Sequence, residues 1–144
     1  MPTCPYPIIL LYSHGHYPFD RTIGKFGIPR GDYERISLDV LFENGDKIIL
    51  ESEKLGKNIR AVEGYLNGIP FDIKGIEGTG KRNIFDKISD ASNKGAEIIV
   101  LYYHDSELFD LQKIVNAYNG YLKLSKSSRI QTIYYIIDGK LYKI

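Results

Sequence analysis

"VEGYLNGIPFDIKG" (Val62–Gly75) decides how this 144-residue chain is read. Asn67-Gly68 at its centre is flanked by apolar residues. Both central positions of a tight type I′ turn need a positive φ, and Asn-Gly supplies it at low cost. The stretch therefore predicts a hairpin, with Ala61 to Leu66 as one strand and Ile69 to Ile73 as its return. Successive side chains on a strand point to opposite faces, so Asp72 and Lys74 share a face. Glu63 lies one hairpin back. An acid and a base thus stand side by side on a sheet, with a second acid across the turn.

Elements of both kinds surround this hairpin. Before it, "PIILLYS" (7–13) reads as a strand, and a Gly- and Pro-rich loop follows it. A helix starts from a cap at Asp32, carries Tyr33, Ile36, Val40 and Leu41 at helical spacing, and stops at Asn44-Gly45. The run 46–52 is a strand, and "EKLGKNIR" is a polar connection. After the hairpin, "GIEGTGKRN" is a glycine-rich loop. A helix follows from Asn83 to Lys94, with Ile84, Phe85, Ile88 and Ala91 on one face. "AEIIVLYY" (96–103) is the most hydrophobic strand and is expected at the sheet centre. A helix from a cap at Asp105 or Ser106 runs to Asn119-Gly120. Residues 130–137, Asp138-Gly139 and 140–144 form a last hairpin. The expected fold is α/β, a mixed sheet flanked by helices, with 96–137 as a strand–helix–strand crossover. It is one domain, 1–144, with an N-terminal strand and loop at 1–31 and an α/β core at 32–144.

Composition narrows the function. Hydrophobic residues at 43% and charged residues at 26% are ordinary for a globular chain. Twelve tyrosines against no tryptophan suit half-buried strand positions. The single cysteine, Cys4, excludes an internal disulfide and a cysteine-based zinc site. The longest early apolar run, Ile8 to Tyr12, is too short for a signal core or a membrane span. Nothing in the chain directs export, and a domain delivered inside a longer polypeptide would read the same. Net charge is +1, but it divides unevenly. After residue 110 there are six basic residues and one acid, a balance of +5, which leaves −4 for the first 110. An acidic region beside a basic one suits a metal-holding site next to a polyanion track. It equally suits a solvated basic tail.

The chemistry follows from residue types. A carboxylate and a lysine two apart on one strand face suit a hydrolytic metal site. The acid holds a divalent cation, and the lysine positions a water or stabilises charge on a phosphate. Glu63 could reach the same ion, since Mg²⁺ and Mn²⁺ need few carboxylates beside water and phosphate. The plainer reading of these three residues is a solvated pair with a cross-strand ion pair. His14 and His16 offer an acid and a base for metal-independent ribonuclease chemistry, or metal ligands. His104, after the hydrophobic strand, is a phosphate contact or a strand-end polar residue. Thr79, Lys81 and Arg82 precede a helix N-terminus and could grip a nucleic-acid backbone. The loop lacks the spacing of a nucleoside triphosphate site. Lys123, Lys126 and Arg129 sit in the basic third and could track phosphates.

This layout resembles the PD-(D/E)xK nuclease superfamily. Glu63 stands where the family has its first Asp, Asp72 where it has Asp or Glu, and Lys74 at its lysine. Glu34, on the preceding helix, stands where members often carry a glutamate. A narrower resemblance over residues 34–103 is to the tRNase domain of CdiA-type contact-dependent growth inhibition toxins. The ending "IIDGKLYKI" is similar too. The resemblance implies a restriction-endonuclease-like fold and a metal-dependent endonuclease cutting RNA, tRNA in particular. It assigns Glu63, Asp72 and Glu34 to a divalent metal ion (Mg²⁺ or Mn²⁺, with Zn²⁺ admitted) and Lys74 to catalysis. It further implies an antibacterial toxin acting in the cytoplasm of a target cell and a cognate immunity protein as partner; the shortness of the apolar runs gives the expectation of no membrane association. Beside it stand the His14/His16 ribonuclease and an inactive fold member that binds nucleic acid or protein.

Overall fold

A computed structural model of the chain describes residues 9–11, 31–51, 62–78, 80, 82–124 and 130–144. The elements are β1 (Ile9–Leu11), α1 (Gly31–Glu43), β2 (Ile48–Glu51), β3 (Gly64–Leu66), β4 (Ile69–Ile76), α2 (Asn83–Asn93), β5 (Ile98–Tyr103), a short 3₁₀ turn (Ser106–Leu108), α3 (Leu111–Leu124), β6 (Thr132–Ile137) and β7 (Lys140–Lys143). The seven strands form one sheet in chain order. β1 to β4 are antiparallel neighbours, β4, β5 and β6 run parallel, and β7 returns antiparallel. The fold is α/β with a mixed sheet, as the hairpin and the alternating elements predict.

Both predicted tight turns form. Asn67 and Gly68 have φ of 52° and 86°, and Asp138 and Gly139 have φ of 50° and 75°. Asn67 is tied further. Its Oδ1 accepts from Lys47 N–H (2.9 Å) and its Nδ2 donates to Asp46 Oδ1 (2.8 Å).

The helices cover opposite faces. Leu38 and Leu41 of α1 are buried against Leu50, Leu66, Phe71 and Val100. On the other face Ile84, Ile88 and Ala91 of α2, with Ile114 and Tyr121 of α3, pack on Ile76, Ile99, Leu101 and Ile133. Five of the six residues of β5 are buried, as a strand covered on both sides requires.

Two expectations are corrected. The return strand of the hairpin continues to Ile76 rather than ending at Ile73, because its parallel pairing with β5 extends to Ile76↔Tyr103. The helix expected from Asp105 to Asn119-Gly120 is two elements. Asp105 accepts from Glu107 N–H and closes only the 3₁₀ turn. Asp110 Oδ1 accepts from Gln112 N–H at 3.0 Å and starts α3, so the true cap lies five residues later. α3 then runs through Asn119-Gly120, where Gly120 faces Phe85 of α2.

Candidate active site

Alternation along β4 sends Phe71 and Ile73 to the α1 side and Asp72, Lys74 and Ile76 to the α2 side. Asp72 and Lys74 do share a face. That face is not open, however, because α2 lies over it. Asp72 is 2% exposed. This corrects the expectation of outward-pointing, solvated side chains. The cause is the packing of α2, on which Lys87, Asp90 and, just beyond the helix, Lys94 recur at helical intervals and meet the strand as one stripe.

The stripe answers the strand with charge. Lys74 Nζ is 3.1 Å from Asp72 Oδ2 and also donates to Asp90 Oδ2. Lys94 Nζ is 3.6 Å from Asp72 Oδ2 and 3.7 Å from Asp90 Oδ2. Two carboxylates and two ammoniums thus form a closed quartet between β4 and α2. Burial works against the charge on Lys74, yet Asp72 and Asp90 outweigh it and raise its pKa above the ordinary lysine value. Lys87 is shifted the other way, by its own burial and then by the like charge of Lys74. Asp72 Oδ2 receives no well-aligned hydrogen bond despite the nearby ammoniums; among the described residues only Tyr103 Oη shares that condition.

Glu63 is 8% exposed and adjoins this site through its backbone. Its N–H donates to Phe71 O at 3.0 Å, while the strand register pairs Phe71 with Gly64. Two residues therefore oppose one, which is a β-bulge. The cores report the same slip. Val62 belongs to the α2 side and Leu66 to the α1 side, although residues four apart on a regular strand share a face. The alternation that would aim Glu63 with Asp72 does not run through this point. Glu34 sits on α1, across the sheet from Asp72.

His104 also lies on the α1 side. Its Nε2 is 3.4 Å from Glu77 Oε1, and its ring meets Tyr33 and Tyr102 edge-on at 5.4 and 5.0 Å. Gly75 leaves it room: a Cβ there would stand 2.9 Å from His104 Nε2. Arg82 precedes α2, with its guanidinium 4.6 Å above the Phe85 ring and 3.6 Å from Asp86. It is eight residues before Asp90, about 12 Å along the helix axis, so it does not join the quartet. Lys123 lies exposed in the last turn of α3. Thr79, Lys81, Lys126, Arg129, His14 and His16 lie outside the described residues.

The donors present decide which divalent cation the site could hold. No group of three or more His, Cys, Asp or Glu side chains converges among the described residues. Zinc, which takes four ligands rich in nitrogen or sulfur, does not suit what is there. A magnesium-type ion fits better, since it keeps several waters and takes one or two carboxylates with substrate phosphate. Asp72 Oδ2 is the donor such an ion would use, and the ion would have to displace the Lys74 and Lys94 ammoniums that stand 3.1 and 3.6 Å from it.

No helix among the described residues is long and apolar enough to cross a membrane. No protein-family model, curated protein or solved structure matches this chain.

Proposed function

We propose that this chain is a metal-dependent endonuclease centred on Asp72 and Lys74. The observation that carries the reading is Asp72 itself: a carboxylate 2% exposed, with one oxygen lacking an aligned hydrogen bond and a lysine ammonium 3.1 Å away. Burying charge is costly, and well-packed apolar residues would hold a strand to a helix at lower cost. Buried charges gathered around one carboxylate occur at functional sites as well as in structural ion-pair networks. The order α1, β2, β3, β4, α2, β5 supports the reading, because it is the order that the nuclease resemblance calls for.

Asp72 holds its carboxylate rigidly at the strand centre. Lys74, kept as an ammonium by Asp72 and Asp90, stabilises the negative charge that builds on a phosphate as it is attacked. In that role it donates and does not act as a general base. A bound Mg²⁺ or Mn²⁺ would supply an activated water and further neutralise the phosphate. Glu63, whose backbone adjoins Asp72, is the candidate supporting ligand that the resemblance assigns, whereas Glu34 lies across the sheet and is not placed to share an ion with Asp72. RNA, and tRNA in particular, is the substrate carried over from the sequence resemblance, as are the toxin role in a target-cell cytoplasm and the cognate immunity protein.

A rival reading comes from the closed quartet: Asp72, Lys74, Asp90 and Lys94 as a strut that pins α2 to the sheet in a protein without catalysis. Cleavage of tRNA and plasmid DNA, with and without chelator, separates the two. Chelator-sensitive cleavage abolished by Asp72→Asn is the expected result. No cleavage by the wild type with added Mg²⁺ or Mn²⁺ would leave the strut, and cleavage that survives chelator would remove the metal.

A further inference from the structure

A second feature lies at the opposite end of α2. A cavity of about 430 Å³ opens between α2 and α3. Its walls include Arg82, Phe85, Lys113, Asn116, Ala117 and Leu124. The volume falls in the range of small-molecule sites, which run from about 300 to 1,000 Å³. The lining divides by chemistry. Phe85, Ala117 and Leu124 supply apolar surface, and Arg82 and Lys113 bring two cations to the lining. Asn116 Oδ1 already accepts from Gln112 Nε2 at 2.8 Å, so its amide N–H groups are left to donate to a ligand.

We propose that this cavity binds one nucleotide unit, its base against Phe85 and the apolar surface and its phosphate between Arg82 and Lys113. Aromatic faces stack bases of any identity, and arginine adds a cation over the ring system. In the free chain the Arg82 guanidinium itself covers the Phe85 ring, so a base takes that face as the guanidinium turns away to the phosphate. Arg82 is 70% exposed and its partner Asp86 66% exposed, so the guanidinium can turn to an incoming phosphate at little cost. Asn116 meets a hydrogen-bond acceptor on the base edge, which every base carries. The site therefore holds a nucleotide without selecting its base. It deepens the nuclease reading by assigning a holding subsite for a nucleotide away from the scissile bond.

The test is titration of the full chain, followed by amide NMR shifts at low salt. The probes are AMP and UMP, with adenosine and inorganic phosphate as separate arms. A mononucleotide has no diester bond for Asp72 and Lys74 to act on, so the titration reports on this cavity independently of cleavage. Saturable shifts at Arg82, Phe85 and Lys113 are expected with AMP and UMP, with adenosine and phosphate each weaker by about tenfold or more. Lys113→Ala should weaken AMP by about tenfold. Phe85→Leu should weaken AMP while leaving phosphate unchanged. Lys113 is exposed on α3, so its variant tests the site even where Phe85→Leu fails to fold. Phosphate binding as tight as AMP would reduce the cavity to an anion site. Adenosine binding as tight as AMP, an unchanged Lys113→Ala titration, or no saturable shift would overturn the proposal.

Discussion

Removing the carboxylate of Asp72 should damage stability and activity by separable amounts. In Asp72→Ala, Lys74 loses a partner at 3.1 Å and Lys94 one at 3.6 Å, beneath a helix. Breaking a buried ion pair from one side costs about 3–5 kcal/mol when the survivor is left alone. Here neither survivor is alone, because Asp90 contacts both lysines and Lys94 is 26% exposed. The expected loss is therefore lower, about 2–3 kcal/mol, which for a chain of this size lowers Tm by roughly 4–12 °C. Asp72→Leu/Lys74→Met removes both charges together. Apolar replacement of a buried pair is often neutral or stabilising, so this double variant should recover most of the loss and unfold within about 1 kcal/mol of the wild type. Cleavage should be absent from both variants. Urea unfolding followed by circular dichroism, alongside an RNA cleavage assay, measures the two quantities on the same protein. Asp72→Ala within about 0.5 kcal/mol of the wild type would refute the burial argument. Wild-type cleavage by the double variant would refute the catalytic one.

Other consequences can be checked separately. Gly64→Ala should prevent folding or cost more than about 3 kcal/mol, since its Cβ would stand 2.1 Å from Ile49 O, a backbone atom of β2 that cannot swing away; a soluble variant with an unchanged urea midpoint would contradict this. Tyr103 Oη is buried without a partner, so Tyr103→Phe should stabilise the fold by about 1 kcal/mol, read from the same unfolding curves. Burial, then Asp110 and Tyr135, raises the Tyr103 pKa, and that of Lys74 is raised as well. Both contributions are whole below the unfolded pKa values, near 10, and fade as pH climbs above them, so wild-type stability should fall on the alkaline side of about pH 10. Tyr103→Phe should fall less steeply there. Glu63→Asp should keep partial cleavage with altered metal preference if Glu63 is a ligand, whereas equal cleavage by Glu63→Ala and wild type would make it structural.

The sequence by itself determined the local geometry and the class of fold. Asn67-Gly68 and Asp138-Gly139 specify their turns because so few residues accept a positive φ at both positions. The apolar spacing of α1 and α2, and the unbroken hydrophobic run of β5, specify their elements because burial has a period that can be read along the chain. The shared face of Asp72 and Lys74 follows from the same period. What covers that face does not. Only the packing of α2 brings Asp90 and Lys94 onto Asp72 and turns an expected solvated pair into a buried quartet, because the choice of face for a crossover helix depends on the whole sheet. The placement of Glu63 was lost for a different reason. A single extra residue at Glu63–Gly64 reverses the facing of everything before it, and the lone glycine inside the strand pattern, Gly64, is its one sign in the sequence. α3 shows the limit of stop signals: Asn119-Gly120 reads as an end, yet Gly120 lies inside the helix facing Phe85, where contact between α2 and α3 outweighs its weak helical preference.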